Sequence, residues 1–186
     1  ASGKDLGIDI GMNKLLALSN RKFLGKRTLE ICEKVRRRKP GSRGRRRAHE
    51  ERRHYFGEVV NEIDFTQFRM IAIENIKGLK NGKKPKRGKQ FRKVVAPWTA
   101  AYVLTRIELK AQENRVLCVK VDPRYTSQTC PKCSHRAASN RSNEKFRCVQ
   151  CGYADDADFV GSLNILNRAL GSLPSPNLAA VSSETV

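Results

Sequence analysis

The sequence predicts a mixed α/β domain with a small cysteine-rich module inserted near its C-terminal end, and three observations carry that prediction. Between Met70 and Val121 an apolar strand-like run, an amphipathic helical pattern and a second strand-like run follow one another. Short apolar segments near the N-terminus alternate with Asn and Gly, as in an antiparallel meander. Two Cys-x-x-Cys pairs, Cys130/Cys133 and Cys148/Cys151, stand 14 residues apart. At 186 residues the chain is long enough for one buried core and a satellite module, with no room for a second full domain.

The elements read as follows. Leu6 to Ile10 is a short strand, and Leu15 to Ser19 and a segment near Phe23 are its meander partners. From Leu29 to Glu62 the composition is helical, but Lys39-Pro40-Gly41-Ser42-Arg43-Gly44 breaks it into two helices. Met70 to Ile73 is a continuous apolar run, expected of a central strand covered on both faces. Residues 77–93 hold nine basic side chains and no acids, which predicts a mobile loop. After Pro97, a favoured first-turn residue, Ala100, Val103, Leu104, Ile107 and Ala111 recur at helical spacing and lead to a strand at Val116 to Val121. Phe159, Leu163, Leu166 and Leu170 mark one face of a last helix, and the Ser- and Pro-rich tail from Gly171 is expected to be disordered. The predicted division is a core over 1–124 and 154–170, a cysteine module over 125–153 and a tail over 171–186.

Charge points to the partner. The chain carries 38 Lys and Arg against 18 acids, a net charge of +20, which attracts a polyanion. Residues 21–54 hold 15 basic and 4 acidic side chains, so with 77–93 two concentrated blocks account for the whole excess. Short arginine runs are often plain solvated helix faces. Two such blocks around an apolar strand instead predict a groove that tracks a nucleic-acid backbone. No apolar stretch is long enough to span a bilayer and no secretion signal opens the chain, so an intracellular protein is expected. It begins Ala-Ser-Gly without methionine, which is expected of a trimmed chain or a fragment.

In a reducing compartment the paired cysteines read as a metal site rather than as disulfides. Each Cys-x-x-Cys turn aims two thiolates at one ion. Cys130, Cys133, Cys148 and Cys151 together close a tetrahedral site with no open position, which is structural zinc. Gly152 suits the tight turn of the second knuckle, and His135 is a spare ligand only if a cysteine fails. Cys32 and Cys118 fall in helix-like and strand-like segments and are read as small apolar residues without a role.

Three acids stand where apolar neighbours make their charge costly. Asp9 lies mid-strand in Gly7-Ile8-Asp9-Ile10-Gly11, and Glu74 ends the apolar run. Asp158 precedes the last helix, where by itself an N-cap is the simpler explanation. Two acids on adjacent central strands and one on a helix beside them can converge on Mg²⁺, a hard ion that takes oxygen ligands. A pair of such ions can activate water and stabilise the leaving oxygen of a phosphodiester.

The phrases GIDIGMNKL, MIAIENIKGL, VDPRYTSQTCPKCSH, NRSNEKFRCVQCGY and DADFVGSLNIL, in that order, resemble the C-terminal part of the TnpB family of transposon-encoded nucleases and the compact type V CRISPR effectors related to it. The resemblance runs from about Leu6 to Leu170. It implies an RNase H-like, RuvC-like mixed sheet flanked by helices, with a zinc ribbon inserted before the third acid. It also implies that Asp9, Glu74 and Asp158 hold two Mg²⁺ ions, that DNA is hydrolysed, and that a guide RNA directs the cut. Arg141 falls where the family often carries a ribbon arginine that reaches the scissile phosphate, although a surface arginine is the plain alternative. The sequence departs from the family pattern at Val160-Gly161-Ser162, where Asn-Ala-Ala or Asn-Ala-Ser is usual, so reduced activity is expected. The N-terminal portion with which the family grips its guide RNA and reads the motif beside the target is not matched by these residues, as expected of a trimmed chain, a split subunit or a minimal nuclease. A binding module without catalysis and a stand-alone junction-resolving nuclease are the rival readings. Retention of all three acids speaks against the first, and the ribbon against the second.

Overall fold

The structure, a computed structural model, describes residues 3–76 and 97–172. Strands β1 (Lys4–Ile10), β2 (Leu16–Leu18) and β3 (Phe23–Leu24) form the expected antiparallel meander. Two helices follow, α1 (Thr28–Arg36) and α2 (Arg43–Asn61). The break between them falls at the Pro-Gly segment, and Ser42 caps α2 by accepting the Arg45 N–H at 3.1 Å. Strand β4 (Phe68–Glu74) then lies parallel to β1, and α3 (Pro97–Glu113) leads to β5 (Leu117–Val121), parallel to β4. The sheet order is β3-β2-β1-β4-β5, so β4 is buried between two neighbours as its unbroken apolar run requires.

Alternation along the strands assigns each face of the sheet. Leu6, Ile8, Ile71 and Ile73 join Phe56, Val59 and Val60 of α2 and Val103 and Ile107 of α3 in the main core. The intervening residues Met70 and Ala72 pack on the opposite face with Ile165 and Ala169 of the last helix, α4 (Ala157–Ser172). Ile8, Ile71 and Ile73 are fully buried, each contributing roughly 1.5–3 kcal/mol. The acids share the α4 face, because Asp9 follows the parity of Gly7 and Glu74 that of Ala72, and Gly7 and Ala72 are paired across β1 and β4.

Helix α4 departs from expectation. Its buried side includes Asp158, Gly161, Ser162, Ile165 and Ala169, while Leu163 and Leu166 are half-buried and Leu170 is exposed. Only Phe159 of the expected apolar stripe is fully covered. Close approach is the cause: a β-carbon at Gly7 would stand 2.1 Å from the Ser162 carbonyl oxygen. The helix therefore lays small residues on the sheet, and the leucines flank the contact.

The inserted module is a three-stranded antiparallel sheet of β6 (Arg141–Ser142), β7 (Lys145–Arg147) and β8 (Ala154–Asp156), the last running directly into α4. Phe146 packs with Cys130, Cys148, Ala157 and Val160, joining the module to the start of α4. The β1–β2 region grips it from the other side through Lys14–Asp156 (2.5 Å), Arg21–Asp155 (2.7 Å) and Asn13–Glu144 (2.6 Å). The basic loop expected at 77–93 and the tail beyond Ser172 lie outside the described residues. Among the described residues no helix is long and apolar enough to cross a membrane.

Candidate active site

The four module cysteines meet. Their sulfurs all lie within 4.8 Å of one another, with Cys130–Cys151 and Cys133–Cys148 at 3.6 Å. A tetrahedron of thiolates around zinc at about 2.3 Å has edges of roughly 3.8 Å, so the set fits that ion. Matching turns build the two knuckles. Ser134 N–H donates to the Cys130 carbonyl (2.9 Å) and Gly152 N–H to the Cys148 carbonyl (3.0 Å), with both residues at positive φ (62° and 73°). Sulfurs this close cannot all ionise without a cation. For Cys148, burial is outweighed by the amides of Cys151 and Gln150 and by neighbouring thiols, which draw the group down to about 7. For Cys133, the His135 amide favours thiolate, but burial and the other three cysteines push the thiol up to about 12. The His135 ring is not in the cluster, and Cys32 and Cys118 lie away from it, each with a thiol held up mainly by burial.

The three acids also come together, more loosely. Asp9 is partly buried, and its carboxyl is held well above the usual carboxylate range, first by desolvation and then by the charges of Glu74 and Asp158. Burial likewise raises Glu74, against the Thr126 hydroxyl and the charges of Arg168 and Arg141. Among the described residues only the cysteines form a group of three or more ligand atoms all within 4.8 Å, so the acids are more widely spread than one ion's shell. Arg141 reaches them from β6: its Nη2 donates to Asp158 Oδ1 at 2.9 Å, and its Nε to the Asn143 carbonyl at 3.0 Å.

Asp158 is not the helix cap. Asp156 takes that role, accepting the N–H groups of Asp158 (3.0 Å) and Phe159 (3.1 Å), which leaves the Asp158 carboxylate free to face Arg141. The doubled acid in Asp155-Asp156-Ala157-Asp158 was the available signal for this division of labour. Of three supporting residues, Thr126 and Asn164 had none, and Gly161 showed only as a departure from the family pattern. Thr126 donates to Glu74 Oε1 at 2.8 Å, and Asn164 donates to the carbonyls of Thr126 and Thr129, both at 2.7 Å. Gly161 faces Asp9 directly, and a β-carbon there would lie 2.7 Å from Asp9 Oδ2.

Comparison with known proteins agrees with this architecture. Residues 101–165 match the family described as Cas12f1-like, TNB domain. The chain is 38% identical over 69 residues to the CRISPR-associated endodeoxyribonuclease Cas12f1 of Sulfoacidibacillus thermotolerans, covering 37% of this chain and 16% of that protein. It is 51% identical over 47 residues to InsQ of Escherichia coli K12, itself only inferred to be an RNA-guided DNA endonuclease, covering 25% of this chain and 12% of that one. Among solved structures, a Cas12f1–sgRNA–target DNA complex matches with a TM-score of 0.65 at 24% identity, over 87% of this chain and 49% of that chain. A CRISPR-Cas12f ternary complex matches with a TM-score of 0.60 at 22% identity, over 89% and 40%. The fold is thus that of part of a Cas12f chain, and the chain spans less than half the length of these relatives. The four-cysteine module falls within the stretch similar to the Cas12f1-like TNB domain, and the chain's sequence similarity extends to Cas12f1 and InsQ.

Proposed function

We propose that this chain is the catalytic portion of a Mg²⁺-dependent DNA endonuclease, an RNase H-like, RuvC-like core (1–124 and 154–170) around a zinc ribbon (125–153). The observation that carries the reading is the Asp9 carboxyl, pressed against α4 and pushed far upward by burial and by the charges of Glu74 and Asp158. Such a cluster is short of a cation, and its donors are all carboxylate oxygens, the set Mg²⁺ prefers. Their spread suits two ions better than one. When bound, a Mg²⁺ pair supplies an activated water and charge stabilisation at the leaving oxygen.

The protein's own groups do the rest. Asp9, Glu74 and Asp158 would hold the metals, and Thr126 fixes the Glu74 rotamer through its 2.8 Å bond. Arg141 keeps a guanidinium at the Asp158 carboxylate, where it can donate to a non-bridging phosphate oxygen. Cys130, Cys133, Cys148 and Cys151 would hold a zinc ion with no open position for chemistry, so the ribbon's part is to keep β6 and thereby Arg141 in place. The arginine-rich α2 lies along the nucleic-acid backbone. The named relatives suggest that within a longer intracellular protein a guide RNA selects the DNA target.

The experiment is cleavage of labelled single-stranded DNA by the chain in Mg²⁺, in EDTA, and with Asp9→Ala. Products carrying 5′-phosphate and 3′-hydroxyl ends, lost in both controls, are expected. Cleavage indifferent to EDTA and to the substitution rejects the proposal.

A further inference from the structure

Tyr125 stands on the segment that joins β5 to the ribbon, at φ 64°, a conformation that side chains with a β-carbon avoid. The fold enforces it: the Tyr125 carbonyl accepts from Gln128 N–H (3.0 Å), Thr129 N–H (3.1 Å) and Thr129 Oγ1 (2.9 Å). The adjacent Thr126 is buried against Glu74, and Asn164 clamps the carbonyls on either side of this turn. Yet the strained residue places its ring half in water, 48% exposed. The Arg136 guanidinium lies over that ring at 4.2 Å, and the Arg136 backbone is bridged to Thr129. Arg136 is exposed and forms no ion pair among the described residues.

Core packing cannot explain a large aromatic held against its backbone preference, exposed, and braced by a cation one residue from a contact to Glu74. A ring with room for a planar partner, beside an uncommitted guanidinium, has the chemistry that stacks a nucleobase and holds its phosphate. Resting on the reading of the acids as a DNA-cleaving site, we propose that Tyr125 and Arg136 form a stacking subsite for one nucleotide of single-stranded DNA beside the scissile phosphodiester. The ring takes the base and Arg136 the adjoining phosphate. A duplex is excluded, because its bases already have both faces covered.

The test uses the whole zinc-loaded chain in Mg²⁺-free buffer without chelator, so that binding is read without cleavage, with oligonucleotides carrying 2-aminopurine at successive positions. Binding should quench the probe at one position on single-stranded DNA and at none on duplex. Tyr125→Gly removes the ring where glycine is unstrained, so its melting temperature should not fall. It should lose the quench and bind the single strand roughly five- to a hundredfold more weakly, while Tyr125→Trp keeps both. Should the glycine variant melt early, Tyr125→Leu gives the same comparison with bulk retained. Unchanged affinity and quench on loss of the ring overturn the subsite and leave the nuclease reading standing. A wild-type chain that binds no DNA overturns both.

Discussion

Gly161 in the first turns of α4 faces the carboxylate of Asp9 near the C-terminal end of β1, with 2.7 Å between Asp9 Oδ2 and the place a β-carbon would occupy. A residue that weakens a helix by about 1 kcal/mol relative to alanine is here the one that leaves Asp9 its position. Gly161→Val should therefore fold less stably by about 1–3 kcal/mol through overpacking, and lose at least about a hundredfold in Mg²⁺-dependent cleavage. Gly161→Ala, the residue usual at this position in the family it resembles, should gain helix stability and keep activity, because the short Asp9 side chain can turn aside. Cleavage rates and urea melts of both variants measure this, and full activity in Gly161→Val would mean that Asp9 need not stay where it is.

The raised Asp9 and Glu74 carboxyls make stability depend on pH with a definite sign. A carboxyl whose folded pKa lies above its ordinary value keeps its proton longer in the folded state. It therefore favours folding at acidic pH, and that advantage is lost as pH rises through the folded pKa. Without Mg²⁺ the chain should thus lose stability as pH rises above the ordinary carboxylate range, by about 1.4 kcal/mol for each unit of pKa displacement. Asp155 and Asp64, whose values are lowered, act only at lower pH, while His49, lowered mainly by burial, opposes the slope up to about pH 6.5. Asp9→Asn should flatten much of the slope, melt higher than wild type at pH 8, and cleave nothing. Saturating Mg²⁺ should stabilise the wild type far more than the variant. An equal slope in Asp9→Asn would show that the acid cluster carries no such strain.

The cysteine cluster predicts one zinc per chain. Cys148→Ser should lower zinc content below one equivalent, loosen the contact of Phe146 with α4, and reduce cleavage by withdrawing Arg141 from Asp158. Cys32→Ser and Cys118→Ser should keep full zinc, since neither sulfur is in the cluster. Metal analysis together with thermal melts decides it. Retention of one zinc by Cys148→Ser would remove that residue from the ligand set.

What the sequence announced and what it concealed divide along a physical line. The apolar run of β4 and the break before α2 rest on local patterning, and they appeared where expected. The cysteines met because paired Cys-x-x-Cys turns carry their geometry with them. Asp9 and Glu74 were conspicuous because a charge among apolar strand residues needs a reason. Hidden were the features set by approach distances between remote segments. The small-residue face of α4 depends on how closely Gly7 lets the helix settle. The cap at Asp156 depends on where β8 gives way to α4. Thr126 and Asn164 look like ordinary polar residues until β4, the ribbon entrance and α4 are packed together.

Asn164 is where that packing is most exposed to test. Its amide is the donor to two carbonyls, Thr126 and Thr129, on the turn that also supplies the Glu74 hydrogen bond, and the side chain is 8% exposed. Asn164→Leu keeps the volume but leaves both acceptors without this donor, at a cost of about 1–3 kcal/mol for each carbonyl that water cannot reach. The turn should relax and Thr126 should lose its hold on Glu74, so cleavage should fall further than stability alone explains and need more Mg²⁺ for half-maximal rate. Thr126→Val separates the two effects. It removes the hydroxyl's bonds to Glu74 and to the Pro123 carbonyl but leaves the Asn164 clamp in place, and should raise the Mg²⁺ requirement with about 1–2 kcal/mol of destabilisation. Mg²⁺ titrations of the cleavage rate beside urea melts provide both readings. A Thr126→Val variant with the wild-type Mg²⁺ requirement would reduce this network to a scaffold for the ribbon.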